Sequence, residues 1–131
     1  MPPVTEKPTI LVVEDDPALR GLYRAALQGA GYAVVAVEDG LDALHSIDGQ
    51  RPGAVVLDLA LPRVHGRDVQ REMASRPETR GIPIVVVSGT DTSEINPGDV
   101  ACVLRKPVTA EVMVSAVESS LRGRPPSRRF C

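Results

Sequence analysis

Five short apolar runs punctuate the chain: TILVV (9–13), AVVAV (33–37), AVVLD (54–58), IPIVVV (82–87) and VACVL (100–104). None alternates with polar residues. Unbroken Val, Ile and Leu runs of this length predict strands buried on both faces, as in a parallel sheet covered by helices. Between them the apolar spacing becomes helical. Asp16 is placed to cap a first helix with Pro17 at its first position. Leu19, Leu22, Tyr23, Ala26, Leu27 and Ala30 form its apolar stripe, and Gly31 suits its C-terminal turn. Asp39 can cap a second helix, in which Leu41, Leu44 and Ile47 share a face. A third, over about 66–74, carries Val69 and Met73. The last starts near Thr109 and presents Val112, Ala116, Val117 and Leu121. The segment SGTDTSEINPGDV (88–100) has little periodicity, with Pro97 and Gly98 near its end, so at most a short helix is expected there.

Strict alternation of strand and helix predicts an α/β doubly wound sheet of five parallel strands with right-handed crossovers. The 131 residues suit one domain. We expect a flexible tail over 1–8, a folded body over 9–122 and a flexible basic tail over 123–131. No internal repeat is visible.

Composition narrows the picture further. The chain is 43% hydrophobic and 24% charged, so a full core can form, but aromatics are 2% and the core must be aliphatic. A net charge of −2 gives no reason to expect a nucleic-acid or membrane surface. Cys102 and Cys131 lack CxxC spacing; Cys102 reads as a small core residue, and a reduced, intracellular, cytoplasmic protein is the simplest expectation. No apolar stretch approaches membrane-spanning length.

In open parallel sheets the working site lies beyond the carboxyl ends of the strands. Strand one ends in Glu14-Asp15-Asp16, strand three in Asp58, strand four in Ser88-Gly89, and strand five runs into Lys106-Pro107. Two carboxylates about 6 Å apart repel by roughly 2–3 kcal/mol at an effective dielectric near 20. One lysine cannot offset three such groups, whereas a divalent cation can. Mg²⁺ (or Mn²⁺) prefers oxygen ligands and often shares a phosphate. Glu14, Asp15 and Asp58 with Lys106 and a dication would form a neutral rim able to accept a phosphoryl group. Taken singly, Asp16 reads as a helix cap, Asp58 and Ser88-Gly89 as turn formers, Lys106 as a solvated charge, and His45 and His65 as surface residues.

The segments ILVVEDDP, VVLDLALPRVHG, IPIVVVSG and LRKPV resemble, in order, the four signature segments of the response-regulator receiver domain of two-component signalling. The resemblance spans about residues 9–122 and implies a flavodoxin-like strand order, 2-1-3-4-5. It implies Asp58 as phosphoacceptor, Asp15 as a direct Mg²⁺ ligand, Glu14 as the second acidic position, and the Ala60 carbonyl as a further ligand. Ser88 would move to the phosphoryl oxygens, Lys106 would pair with them, and the Lys106–Pro107 bond would be cis. The implied partners are a sensor histidine kinase or a histidine phosphotransfer protein, and a downstream protein target. The expected assembly is a monomer or weak dimer with no nucleic-acid or membrane role. Such a chain is not an enzyme but a signalling phosphoacceptor that assists its own phosphoryl transfer and slow dephosphorylation. The resemblance also implies that Ala60 and Thr90 flank the path of the attacking water; they offer it little to hold, so slow decay is expected.

Two departures stand beside this resemblance. The family usually has an aromatic three residues before the lysine, and here that position is Val103. The stretch from Ser88 to Lys106 is short for a regular fourth helix, so that helix is expected to be shortened or irregular. The alternative reading is a receiver-like interaction module that works without phosphorylation.

Overall fold

The computed structural model describes residues 7–123. The elements alternate as read: β1 (Thr9–Val13), α1 (Pro17–Gly29), β2 (Ala33–Val37), α2 (Gly40–Gly49), β3 (Ala54–Leu57), α3 (Gly66–Ser75), β4 (Ile84–Ser88), β5 (Cys102–Arg105) and α4 (Ala110–Leu121). All strands are parallel, in the order β2-β1-β3-β4-β5. The Lys106–Pro107 bond is cis.

Successive strand residues face opposite sides of the sheet, and this period of two divides the core into two layers. Ile10, Val12, Val56, Val85, Val87 and Leu104 join one layer, with Tyr23 and Leu27 from α1 and Met113 and Val117 from α4. Leu11, Val13, Val55, Leu57 and Val86 join the other, with Ala43 and Ile47 from α2 and Val69 and Met73 from α3. Helix starts follow the chain's polar punctuation. Asp16 accepts from the amides of Ala18 and Leu19, Asp39 from Asp42, and Thr109 from Val112. Each satisfies a donor the first turn would leave unpaired. Gly31, at φ 98°, takes the left-handed turn after α1 that a side chain would strain.

The structure corrects several expectations. β2, at the edge where the implied strand order puts it, is half-exposed rather than buried on both faces. Leu22 lies outside the α1 stripe and is 49% exposed. In α2 the buried stripe is Gly40, Ala43 and Ile47, with Leu44 packed partly against it. The segment between β4 and β5 is as expected: it holds one 3₁₀ turn, Pro97–Asp99, and no α-helix. Cys102 is a core residue, as expected, but it is disulfide-bonded rather than a reduced thiol. Lys7, assigned to the N-terminal tail, donates to the Ala30 carbonyl at 2.6 Å and lies 4.8 Å from the centre of the Tyr32 ring. The tail expected beyond Gly123 falls outside the described residues. Among the described residues, no helix is long and apolar enough to cross a membrane.

Candidate phosphoacceptor site

β1 lies between β2 and β3, so the chain leaves it in one direction and returns on its other side. The crevice this opens is at the carboxyl ends of β1 and β3. Val13 and Leu57 are register partners, and the next residues, Glu14 and Asp58, extend that pairing beyond the strands. The amide of Asp58 donates to the Val13 carbonyl at 3.0 Å and that of Glu14 to the Val37 carbonyl at 3.1 Å, so both backbones are held by the sheet. Glu14 is 1% and Asp58 4% exposed, whereas Asp15 is open to solvent. Glu14, Asp15 and Asp58 each offer an oxygen, and these oxygens lie within 4.8 Å of one another.

Lys106 closes the cluster. Its Nζ donates to Glu14 Oε1 at 2.7 Å and reaches Asp58 Oδ2 at 3.4 Å. Burial disfavours its charged form, but the hydrogen bond to Glu14 and the charges of Asp58 and Glu14 outweigh that and hold its pKa above the ordinary lysine value. Burial dominates at Glu14 and raises its pKa, against the Lys106 hydrogen bond and the Asp16 amide. The nearby charge of Asp58 pushes it further the same way. A buried carboxyl pushed toward its neutral form, with two more acids in reach, is what an uncompensated anionic pocket produces.

Ser88 ends β4 and is completely buried. Its Oγ pairs with Thr90 Oγ1 at 2.8 Å and accepts the Thr90 amide at 3.1 Å, so the hydroxyl is engaged with its own loop. The amide of Ala60 donates to Asp58 Oδ1 at 3.2 Å. His45 and His65 are both exposed, as read from sequence.

After Asp58 the chain turns back into the core. Leu59 and Leu61 are buried in the layer beneath α2 and α3, which explains why apolar residues follow the carboxylate at once. Gly66 then passes so close that a Cβ there would sit 2.2 Å from the Asp58 carbonyl oxygen and 2.5 Å from Leu59 Cα. In sequence this glycine shows only as a poor helix former at a helix's first position. Arg63 was also missed. It holds φ 65°, and its guanidinium donates to Asp39 Oδ2 at 2.9 Å and Asp42 Oδ1 at 3.1 Å, tying the loop after β3 to the start of α2. The Asp39 pKa lies below the ordinary value, held there first by the Asp42 amide, against some burial, and then by Arg63. A third missed residue, Arg20, donates from Nη1 to the carbonyls of Glu14 at 3.0 Å and Asp15 at 3.2 Å.

A doubly wound parallel sheet with buried acids and a lysine at its switch point defines a receiver-type α/β protein. The comparisons name the family: a model described as "Response regulator receiver domain" matches residues 10–118, and the chain belongs to that family. Among curated relatives, "Response regulator MprA" of Mycobacterium sp. (strain KMS) is 42% identical over 83 residues, which is 63% of this chain and 35% of that protein. The match thus spans about a third of that relative's length. A sensor protein from Polaromonas sp. JS666 superposes with a TM-score of 0.80 at 27% identity, covering 89% of this chain and 98% of that one. The receiver domain of sensor histidine kinase PA1611 from Pseudomonas aeruginosa PAO1, with a magnesium ion coordinated in its active-site cleft, gives 0.76 at 26%, covering 88% and 98%.

Proposed function

We propose that this chain takes a phosphoryl group from a phosphohistidine onto Asp58, in a two-component or phosphorelay pathway. The observation that carries the reading is the meeting of Glu14, Asp15 and Asp58 with Lys106 at the switch point. The donor set fits Mg²⁺: it is all oxygen, two of its acids are buried, and it carries more negative charge than Lys106 can offset. Glu14, Asp15, Asp58 and the Ala60 carbonyl would hold the ion. When bound, Mg²⁺ supplies charge neutralisation at the phosphoryl oxygens.

Positioning and electrostatics carry most of such a transfer. An Asp58 carboxylate oxygen attacks phosphorus, the P–N bond to the donor imidazole breaks, and its electron pair stays on the nitrogen, which takes up a proton. Lys106 leaves Asp58 for a phosphoryl oxygen. Ser88 releases Thr90 and donates to another, so its displacement reports the modified state. The donor is a sensor histidine kinase or histidine phosphotransfer protein, and the signal passes to a downstream protein target.

Acetyl phosphate with Mg²⁺, followed by intact mass, tests the assignment: the parent gains one phosphoryl group and Asp58→Asn gains none. Labelling that survives Asp58→Asn undiminished would refute it. The same assay reads the lifetime. Ala60 offers no side-chain group to orient a water, so the acyl phosphate decays slowly, and Ala60→Asn is expected to shorten its life severalfold. The absence of a helix between β4 and β5 favours a second reading, a module that binds partners without phosphorylation. Failure of the parent to label would select it.

A further inference from the structure

Arg20 does more at the site than its place in the chain suggests. Three consecutive carbonyls of the loop after β1 end on this one residue. Its guanidinium Nη1 donates to the carbonyls of Glu14 and Asp15, at 3.0 and 3.2 Å. Its backbone amide donates to the Asp16 carbonyl at 2.8 Å. The first turn of α1 contains no acid, and a cation near the positive end of a helix is disfavoured. Helix stability therefore does not explain an arginine here. The two carbonyls do: they belong to the residues whose side chains form one wall of the acidic cluster. With them fixed, the Asp16 amide stays in place to donate to Glu14 Oε2 at 3.1 Å, which orients the buried carboxylate.

We infer that Arg20 is a positioning residue that clamps the backbone of Glu14 and Asp15 and so sets the affinity of the acidic cluster for Mg²⁺. The inference rests on the proposed function, and its sign separates it from simple charge. A guanidinium beside a dication site repels the ion, so removing a mere charge would tighten binding. Removing a clamp loosens the ligands and weakens it.

The test titrates the metal-free 131-residue chain with Mg²⁺ and follows amide chemical shifts. Arg20→Gln is expected to bind about 10-fold more weakly, the scale of losing a partner that orients a metal ligand. Arg20→Lys keeps the charge on a stem one bond shorter than Nη1 needs to reach both carbonyls, and is expected to bind severalfold more weakly than the parent. In the metal-free variants, exchange of the Asp16 amide should quicken while thermal unfolding stays cooperative. Parent-like or tighter binding by Arg20→Gln overturns the inference; if that variant fails to fold, parent-like binding by Arg20→Lys does so. Asp15→Asn is the control. If it loses Mg²⁺ while Arg20→Gln keeps it, the clamp fails and the site stands. If the parent itself does not bind Mg²⁺, both fall.

Discussion

The two faces of the sheet are built from the same strands but covered in different ways. One face lies under α1 and α4, which bring Tyr23, Leu27, Met113 and Val117, each 1% exposed or less. The other lies under α2 and α3, and then the cover runs out. Beside β5, whose own Val103 is only partly buried, it is completed by Ile95 and the partly buried Val100, from a segment whose sole regular turn is Pro97–Asp99. A helix delivers several apolar side chains at fixed spacing on a self-satisfied backbone, whereas an irregular segment delivers them singly. The acidic site is indifferent to this contrast, because its residues hang from strand ends that both faces share. The chain can therefore hold its acidic cluster whole while the cover around β5 is irregular.

The largest expected effect breaks the well-covered face. Leu27→Ala should cost about 2–5 kcal/mol, since two helices and the sheet cannot close on the cavity. Ile95→Ala should cost clearly less, nearer 1 kcal/mol, because its segment can settle into the space. Urea unfolding of both variants compares the faces directly, and equal losses would abolish the distinction. Next comes the link between faces and site. Gly66→Ala forces a methyl against the Asp58 carbonyl and should cost about 1–3 kcal/mol while sharply reducing acetyl-phosphate labelling. A variant with parental stability and labelling would show that the loop has room to spare.

The smallest effect is one of pH. The Asp39 carboxyl has a lowered pKa in the folded protein, so its stabilising contribution is complete above the unfolded value, about 3.9, and fades as pH falls through the lower folded one. Arg63 supplies part of that lowering. Arg63→Gln should therefore melt below the parent at neutral pH, with the gap closing in acid. A gap that widens on acidification would reverse the sign.

Much of this was legible in the chain. The strand runs, the caps at Asp16, Asp39 and Thr109, and the collection of Glu14, Asp15, Asp58, Ser88 and Lys106 on one rim follow from periodicity and from where each strand stops. Less legible was anything set by neighbours distant in sequence. The half-exposure of β2 follows from its edge place in the strand order, which apolar content does not encode and the family resemblance alone supplied. The close pass of Gly66 over Asp58, the strap from Arg63 to α2 and the grip of Arg20 on two carbonyls are meetings between loops and helix ends. Exposed charge and lone glycines look alike in sequence whether or not they make such meetings.

The bond from Lys106 to Glu14 has a consequence for reversibility. On the proposed reading, an arriving phosphoryl group does not meet an idle cation. The ammonium is already held at 2.7 Å by one acid and approached at 3.4 Å by another, so modification exchanges one partner for a better one. Only the difference between the two states can bias the conformation. An ammonium kept in waiting by Glu14 narrows that difference, and each return to the unmodified state finds its counter-ion in place. Such a device behaves as a balance rather than a latch, returning to rest when the modification is gone.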